Sequence, residues 1–295
     1  MGEQVGVFLD TDIGDDIDDA WAVALCLRHP RLDLLGVTTV HGPTRHRAGL
    51  ARWLVEASGK KVEVASGLPG TRGDDGRFLP YWAAIPESQQ ERVLKGRTDW
   101  LEFLKETIRL APYEEVVLLT VGALTNAAAL FGSGAAELKK VKEIVAMVGV
   151  IEQRAEPEYN AGCDPAATQA VFASGKSLTM VGLDVTMQCV LSEEDLKVFA
   201  SSNDPLIERL MAMTEVWRNA HRRPDGTRPL PVLHDVLAAL VIVEPELVTL
   251  KPMKIEVDEK GRTRSVGGTP NARVAIGVRA KKVMQRVREV LLYRP

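Results

Sequence analysis

The chain has 295 residues, long enough for one large α/β domain, and its formal net charge of −3 with a pI near 6.0 supplies no basic footprint for nucleic acid. It carries no long single-sign tail for a charged partner, no apolar run of membrane-spanning length, and no basic segment ahead of an apolar core at Met1-Gly2-Glu3-Gln4. The three cysteines, Cys26, Cys163 and Cys189, are scattered without metal-ligand spacing, so the reading is a soluble cytoplasmic protein with a small-molecule partner, no nucleic acid and no membrane.

Val5, Val7 and Leu9 lie in an apolar run that predicts a buried first strand, and Ala20-Trp21-Ala22-Val23-Ala24-Leu25 predicts the helix after it. Between them stand six carboxylates in ten residues, Asp10, Asp12, Asp15, Asp16, Asp18 and Asp19, with no Lys or Arg among them. A few acids near a helix start are ordinary, because they cap it and favour its positive end. Six exceed that need, and like charges packed together are costly without a cation. Oxygen ligands without His or Cys favour Ca²⁺ or Mg²⁺ over zinc. In an open parallel sheet, a strand-to-helix turn also borders the crevice where ligands bind.

Leu32 to Val40 predicts a second strand ending at His41-Gly42-Pro43-Thr44, followed by a helix whose Ala48, Leu50, Ala51, Leu54 and Val55 recur at helical spacing, and a short strand at Val62 to Ala65. His41 reads first as a hydrogen-bonded turn residue, although its place at a strand end makes it a site candidate. Ser66 to Arg97 is long and rich in Gly, Pro and charge, including Gly73-Asp74-Asp75-Gly76; such loops serve as lids or binding loops. Within it, Tyr81 and Trp82 either anchor the loop to the core or stack on a planar ligand.

Leu101 to Leu110 reads as a helix, Val116 to Thr120 as a buried strand, and Val121-Gly122-Ala123-Leu124-Thr125-Asn126 as a small-residue turn that lets backbone approach a ligand. Val141 to Met147 is the next strand. Asp164-Pro165 is a helix start, which leaves Glu158 and Asn160 just before it without a structural explanation. Leu178 to Leu183 reads as a strand, Ser192 and Asp195 resemble a capping box, and the helix near Pro205 to His221 places Leu206, Leu210, Met213, Val216 and Trp217 on a core face. A basic loop then leads to Leu233-His234-Asp235 before the apolar helix Val236 to Val243. Adjacent residues on a helix do not face each other, so His234 and Asp235 suit separate roles. Val248 to Val257 with Ala272 to Val278 reads as a terminal hairpin, and Arg279 to Leu292 as a closing helix. No linker divides this alternation, so residues 1–295 read as a single domain.

Together, Asp10-Thr11-Asp12-Ile13-Gly14 with Asp18-Asp19, Val121 to Asn126, Glu158-Tyr159-Asn160 and Leu233-His234-Asp235 resemble the inosine–uridine-preferring nucleoside hydrolase family in order and spacing over nearly the whole chain. The resemblance implies an open, mostly parallel twisted sheet flanked by helices. It further implies Ca²⁺-dependent hydrolysis of the N-glycosidic bond of ribonucleosides, with release of ribose and a free base, by homodimers or homotetramers. Carried over by position, Asp12 looks like the ligand that also deprotonates the attacking water, Asp19 and Asp235 like further metal ligands, and Val121 like the backbone carbonyl ligand. Asp18, Glu158 and Asn160 match ribose contacts, Met147 a pocket-lining residue, and His234 the acid near the leaving base, with an ordinary pKa near ~6.5.

Three departures from the family pattern mark further candidates. The acidic turn is longer by two residues than the commonest family form, so Asp15 or Asp16 competes with Asp18. Pro43 replaces the expected ribose-binding asparagine, leaving compensation to His41, Thr44 or the backbone. The lid segment lacks the His-Gly-containing motif common in the family and the loop before His234 lacks an obvious tyrosine pair, which leaves base preference open; were His234 only to order the helix entrance, protonation would fall to His221, His41 or solvent. Competing readings are a haloacid-dehalogenase-like phosphohydrolase, suggested by Asp10-Thr11-Asp12 alone, and a nucleoside- or ribose-binding homologue without turnover.

Overall fold

The computed structural model describes residues 3–71, 79–151 and 154–292. Gly73-Asp74-Asp75-Gly76 of the expected lid lies outside them. Among the described residues nine strands form one mixed, mostly parallel sheet: β1 Val5–Thr11, β2 Leu32–Thr39, β3 Val64–Ser66, β4 Val116–Thr120, β5 Val141–Ala146, β6 Leu178–Met180, β7 Val248–Val257, β8 Thr263–Val266 and β9 Ala272–Val278, in the order β3-β2-β1-β4-β5-β6-β9-β7-β8. All neighbours are parallel except β9–β7 and β7–β8.

The central strands are apolar throughout because both faces are covered. Val7 and Leu9 of β1 and Val117 and Leu119 of β4 join one core layer, whereas Phe8, Val116 and Leu118 point into the other. The first layer takes side chains from helices Asp18–Arg28, Thr44–Ser58, Pro205–Ala220, His234–Val243 and Ala280–Leu292; the second takes them from Trp100–Leu110, Thr125–Gly132 and Pro165–Ala173.

The strand order turns outward in both directions from β1 and β4, which opens a crevice at their carboxyl ends. Those ends are held in step by continued backbone pairing. The N–H of Val40 donates to Thr11 O at 3.0 Å, that of Val121 to Asp10 O at 2.8 Å, and that of Met147 to Thr120 O at 2.9 Å. The acidic turn, the His41 turn, Val121-Gly122 and Met147 therefore lie along one edge.

Several local expectations are met. Ser192 and Asp195 form a reciprocal capping box, and Asp164 caps Pro165–Ala173 with Pro165 in its first turn. Others are corrected. The last apolar helix begins at His234 rather than Val236, which puts His234 and Asp235 in its first turn. The antiparallel pair β7–β9 forms, but an unexpected strand, β8, pairs with β7 on the outside and β9 extends the parallel sheet beside β6. The Ser66 to Arg97 segment contains a 3-10 turn, Pro80–Ala84, and a short helix, Glu87–Val93.

Helix Asp18–Arg28 locks the acidic turn to the core through Trp21, which is fully buried, meets Phe199 edge-on at 4.8 Å, and donates its indole N–H to Thr214 Oγ1 at 3.2 Å. Trp21→Ala removes the ring and that donor together, so we expect a loss of about 3–5 kcal/mol in urea unfolding. A loss below about 1 kcal/mol would contradict this account.

Candidate active site

A cavity of about 530 Å³ opens at the carboxyl ends of the central strands, lined on its floor by Asp12, Asp18, Asp19, Val121 and Asp235 and on its walls by residues from several distant segments. Asp18, Asp19 and Asp235 each offer a carboxylate oxygen within 4.8 Å of the other two, and all three residues are buried. Asp18 and Asp19 do not cap their helix, since no side chain caps its N-terminus. Instead Asp19 Oδ1 accepts a hydrogen bond from Thr11 Oγ1, and Asp18 Oδ2 accepts one from the Asp235 backbone N–H at 3.2 Å.

Burial drives all three carboxyls well above the usual range, and neighbouring negative charges add to the effect: Asp16 at Asp18, Asp12 at Asp19, Asp18 at Asp235. Three buried carboxylates that repel one another, a group without His or Cys, make a donor set suited to a hard divalent cation. Val121 lines the same floor. Asp12 faces the cavity outside this group of three; burial raises its carboxyl to about 7 even though Arg47 opposes the shift.

The other acids of the turn are placed differently. Asp15 pairs with the buried guanidinium of Arg47 at 2.7 Å, and Asp16 Oδ1 accepts from the Ile17 N–H at 2.7 Å. Both still reach the cavity rim, but Asp18 is the one that joins Asp19 and Asp235. Asp10 does not line the cavity. Its Oδ1 accepts from Thr38 Oγ1 at 2.6 Å and Asn126 Nδ2 at 2.7 Å, which ties β1 to β2 and to the turn after β4, and burial raises its carboxyl to about 7.

Glu158 and Asn160 follow from one local device. Glu158 caps the short helix Tyr159–Cys163, accepting from the Asn160 N–H at 2.8 Å and the Ala161 N–H at 3.1 Å, and reaches the Gly149 N–H at 2.7 Å. Asn160 Nδ2 donates to Val121 O at 2.9 Å and Met147 O at 3.0 Å, fastening the exits of β4 and β5. Both side chains and Met147 border the cavity. Gly122 is required here, because a Cβ would meet Asp12 Oδ1 and the Asp12 backbone nitrogen at 2.9 Å.

His234 lines the cavity with Nδ1 2.7 Å from Thr186 Oγ1, and burial lowers its pKa to about 4. The expectation of an imidazole titrating near neutrality is therefore corrected: this ring is neutral at pH 7. His221 also lines the cavity; its Nδ1 lies 2.9 Å from Trp217 O, so that nitrogen carries the hydrogen, and its ring lies 5.2 Å from that of Trp217.

The remaining candidates stand outside. Tyr81 is fully buried and donates its hydroxyl to Asp16 O at 2.9 Å, while Trp82 meets His46 edge-on at 5.0 Å; both anchor the segment, and neither lines the cavity. His41 is buried with a left-handed φ of 67°, its Nε2 3.7 Å from Cys163 Sγ and its ring against Tyr159. Sequence reasoning missed the cavity roles of Trp217, Leu183, Pro80 and Tyr159, and it missed Arg47. The signal for Arg47 was available: it falls on the apolar face marked by Leu50, Ala51 and Leu54, where an arginine needs an internal partner.

The profile described as inosine-uridine preferring nucleoside hydrolase matches residues 7–285. Non-specific ribonucleoside hydrolase RihC of Escherichia coli is 31% identical over 315 residues, covering 98% of this chain and 99% of that protein. Uridine nucleosidase 1 of Arabidopsis thaliana is 30% identical over 277 residues, covering 88% of this chain and 80% of that protein. Among solved structures, the plant nucleoside hydrolase PpNRh1 superposes with a TM-score of 0.83 at 25% identity, covering 97% of this chain and 98% of that one.

The acidic cluster leads to a direct expectation. A cation that binds only the folded protein stabilises it by about 2.7 kcal/mol at a hundredfold excess over Kd. Adding Ca²⁺ after chelator treatment is expected to raise the thermal midpoint, and Asp235→Asn to remove most of the rise. An unchanged midpoint at millimolar divalent cation would contradict a metal site here.

Proposed function

Because the chain belongs to the inosine-uridine preferring nucleoside hydrolase family and is a ribonucleoside hydrolase, we propose that it cleaves the N-glycosidic bond with the help of Ca²⁺ held on the cavity floor, releasing ribose and a free base. The observation that carries this reading is the buried, all-oxygen group Asp18, Asp19 and Asp235 in the crevice of the central strands. Asp12, Asp19, Asp235 and the Val121 carbonyl would hold the cation. A flexible cage of many oxygens suits Ca²⁺ better than the strict octahedron of Mg²⁺. Bound there, the ion would orient the attacking water and lower its pKa.

Asp12 accepts the water proton. It lines the same cavity as Asp19 and Asp235, and a carboxylate bordering the cation site is placed to take the proton of a water that the ion would orient. Asp18, Glu158 and Asn160 hold the ribose, with Met147 beneath it. As the glycosidic bond breaks, positive charge grows on the sugar ring, and the surrounding carboxylates stabilise it. The geometry of Glu158 and Asn160 suits this work, since their bonds to the Gly149, Asn160 and Ala161 N–H groups and the Val121 and Met147 carbonyls fix both side chains before substrate arrives.

The base lies against Trp217 and His221, and His234 donates a hydrogen bond to it. In the tautomer whose Nδ1 accepts from Thr186 Oγ1, neutral His234 carries its ring hydrogen on Nε2. His234 therefore steadies negative charge on the departing base as a neutral donor. Family membership displaces the phosphohydrolase reading. We further propose one catalytic domain acting in the cytoplasm as a homodimer or homotetramer. Cys26, Cys163 and Cys189 remain buried thiols, which supports a reducing compartment.

Incubation with a panel of purine and pyrimidine ribonucleosides, with Ca²⁺ or chelator, should release free ribose only with the metal. Asp12→Asn is expected to abolish most of that turnover while the Ca²⁺-dependent thermal shift persists in part; ribose release near the wild-type rate would refute its role as base. His234→Ala should slow inosine by roughly 10²-fold or more and an activated p-nitrophenyl riboside far less, because the latter leaving group departs without help. Equal losses on both substrates would assign His234 to ordering the helix entrance beside Asp235.

A further inference from the structure

We infer that Arg47 is a positioning residue for the proposed base: its guanidinium, buried beneath the acidic turn, fixes the backbone from which Asp12 projects. The inference rests on the reading of Asp12 given above. Arg47 rises from the first turns of helix Thr44–Ser58, its side chain fully inaccessible. Nε donates to His41 O at 2.6 Å, Nη1 to the carbonyl of Asp12 and to Ile13 O at 3.2 Å, and Nη2 to Asp15 Oδ2 at 2.7 Å. One side chain thus clamps two turns, the one after β1 and the one after β2.

The clamp meets a need created by the length of the acidic turn. Gly14 lies at φ 142° with Leu79 and Arg47 packed against it, and Tyr81 holds the turn again at Asp16 O. Without these two anchors, the stretch from Ile13 to Ile17 has no regular structure to fix it between strand and helix. Arg47 binds the first half, the half that carries Asp12. Its positive charge also offsets the cost of burying Asp12 and Asp19.

Lysine cannot do the same. Its single ammonium has no planar fork, so it cannot reach carbonyls on two turns and a carboxylate at fixed angles. Arg47→Lys keeps the charge and removes the geometry. An error of about 1 Å in placing a reacting group costs about 10²-fold in rate.

The test compares Arg47→Lys and Arg47→Ala with wild type, each checked for cooperative unfolding. For Arg47→Lys, kcat on a ribonucleoside should fall by about 10²-fold with KM within about threefold, and the Ca²⁺-dependent thermal shift should remain. For Arg47→Ala, free guanidinium at concentrations far below those that unfold the protein should restore part of the lost kcat. The inference is overturned if Arg47→Lys keeps kcat within about twofold of wild type. It is overturned equally if both variants fail to fold, since Arg47 would then be structural, or if KM alone rises. Asp12→Asn, run alongside, separates this from the underlying reading: turnover surviving in Asp12→Asn dismisses Asp12 as the base whatever Arg47 does.

Discussion

The constraint on which the rest of the structure depends is the burial of mutually repelling carboxylates in one crevice. Asp12, Asp18, Asp19 and Asp235 are all removed from water, and each raises the cost of ionising another. The fold holds them by spreading the scaffold over two elements far apart in sequence. Asp18 and Asp19 start one helix and Asp235 starts another, and those helices, Asp18–Arg28 and His234–Val243, pack side by side in the larger core layer. The apolar contact between their bodies opposes the repulsion at their ends. Hydrogen bonds from Thr11 and from the Asp235 N–H then fix individual oxygens.

The opposite wall is built on another principle. Glu158 and Asn160 are held chiefly by backbone groups, two donors on the short helix they begin, one donor after β5 and two carbonyls at strand ends, with Met147 Sδ 3.5 Å from Asn160 Nδ2. Backbone groups at strand ends move only with the sheet. On the proposed reading, a sugar held there would meet groups whose positions are already fixed, so little reorganisation would accompany the growth of charge on the ring. The floor supplies charge and the wall supplies position.

Much of this was legible in the sequence because the site is assembled from turns, and a turn keeps its residues contiguous. Asp10 to Asp19, Val121 to Asn126, Glu158 to Asn160 and His234-Asp235 each stay together in the chain, and alternating apolar runs show that they follow strands or enter helices. What stayed hidden depends on contacts across the fold. The apolar helix face marks Arg47 as needing an internal partner, but which groups it meets is set only when β1 and β2 bring the two turns side by side. Trp217 has the spacing of a core residue and is nearly buried, yet one part of it reaches the cavity. The pKa of His234 depends on burial among segments that sequence order does not bring together. β8 was missed for a different reason: Thr263–Val266 is four residues long, mostly solvent-facing, and carries little apolar signal.

If the proposed division holds, one fold can serve relatives whose names differ in the bases they take, a uridine nucleosidase and a non-specific ribonucleoside hydrolase. The proposed sugar side is tied to the central strands, so changing it disturbs the sheet. The proposed base side consists of Trp217 and His221, at the end of helix Pro205–Ala220, with Leu183 and Pro80. Beyond that helix runs a Pro- and Gly-broken segment, Arg222 to Pro229, whose side chains are largely exposed and therefore free to vary without loss of core. On the proposed reading, cleavage chemistry is fixed by the sheet edge and base choice by the end of one helix, and the two can change independently.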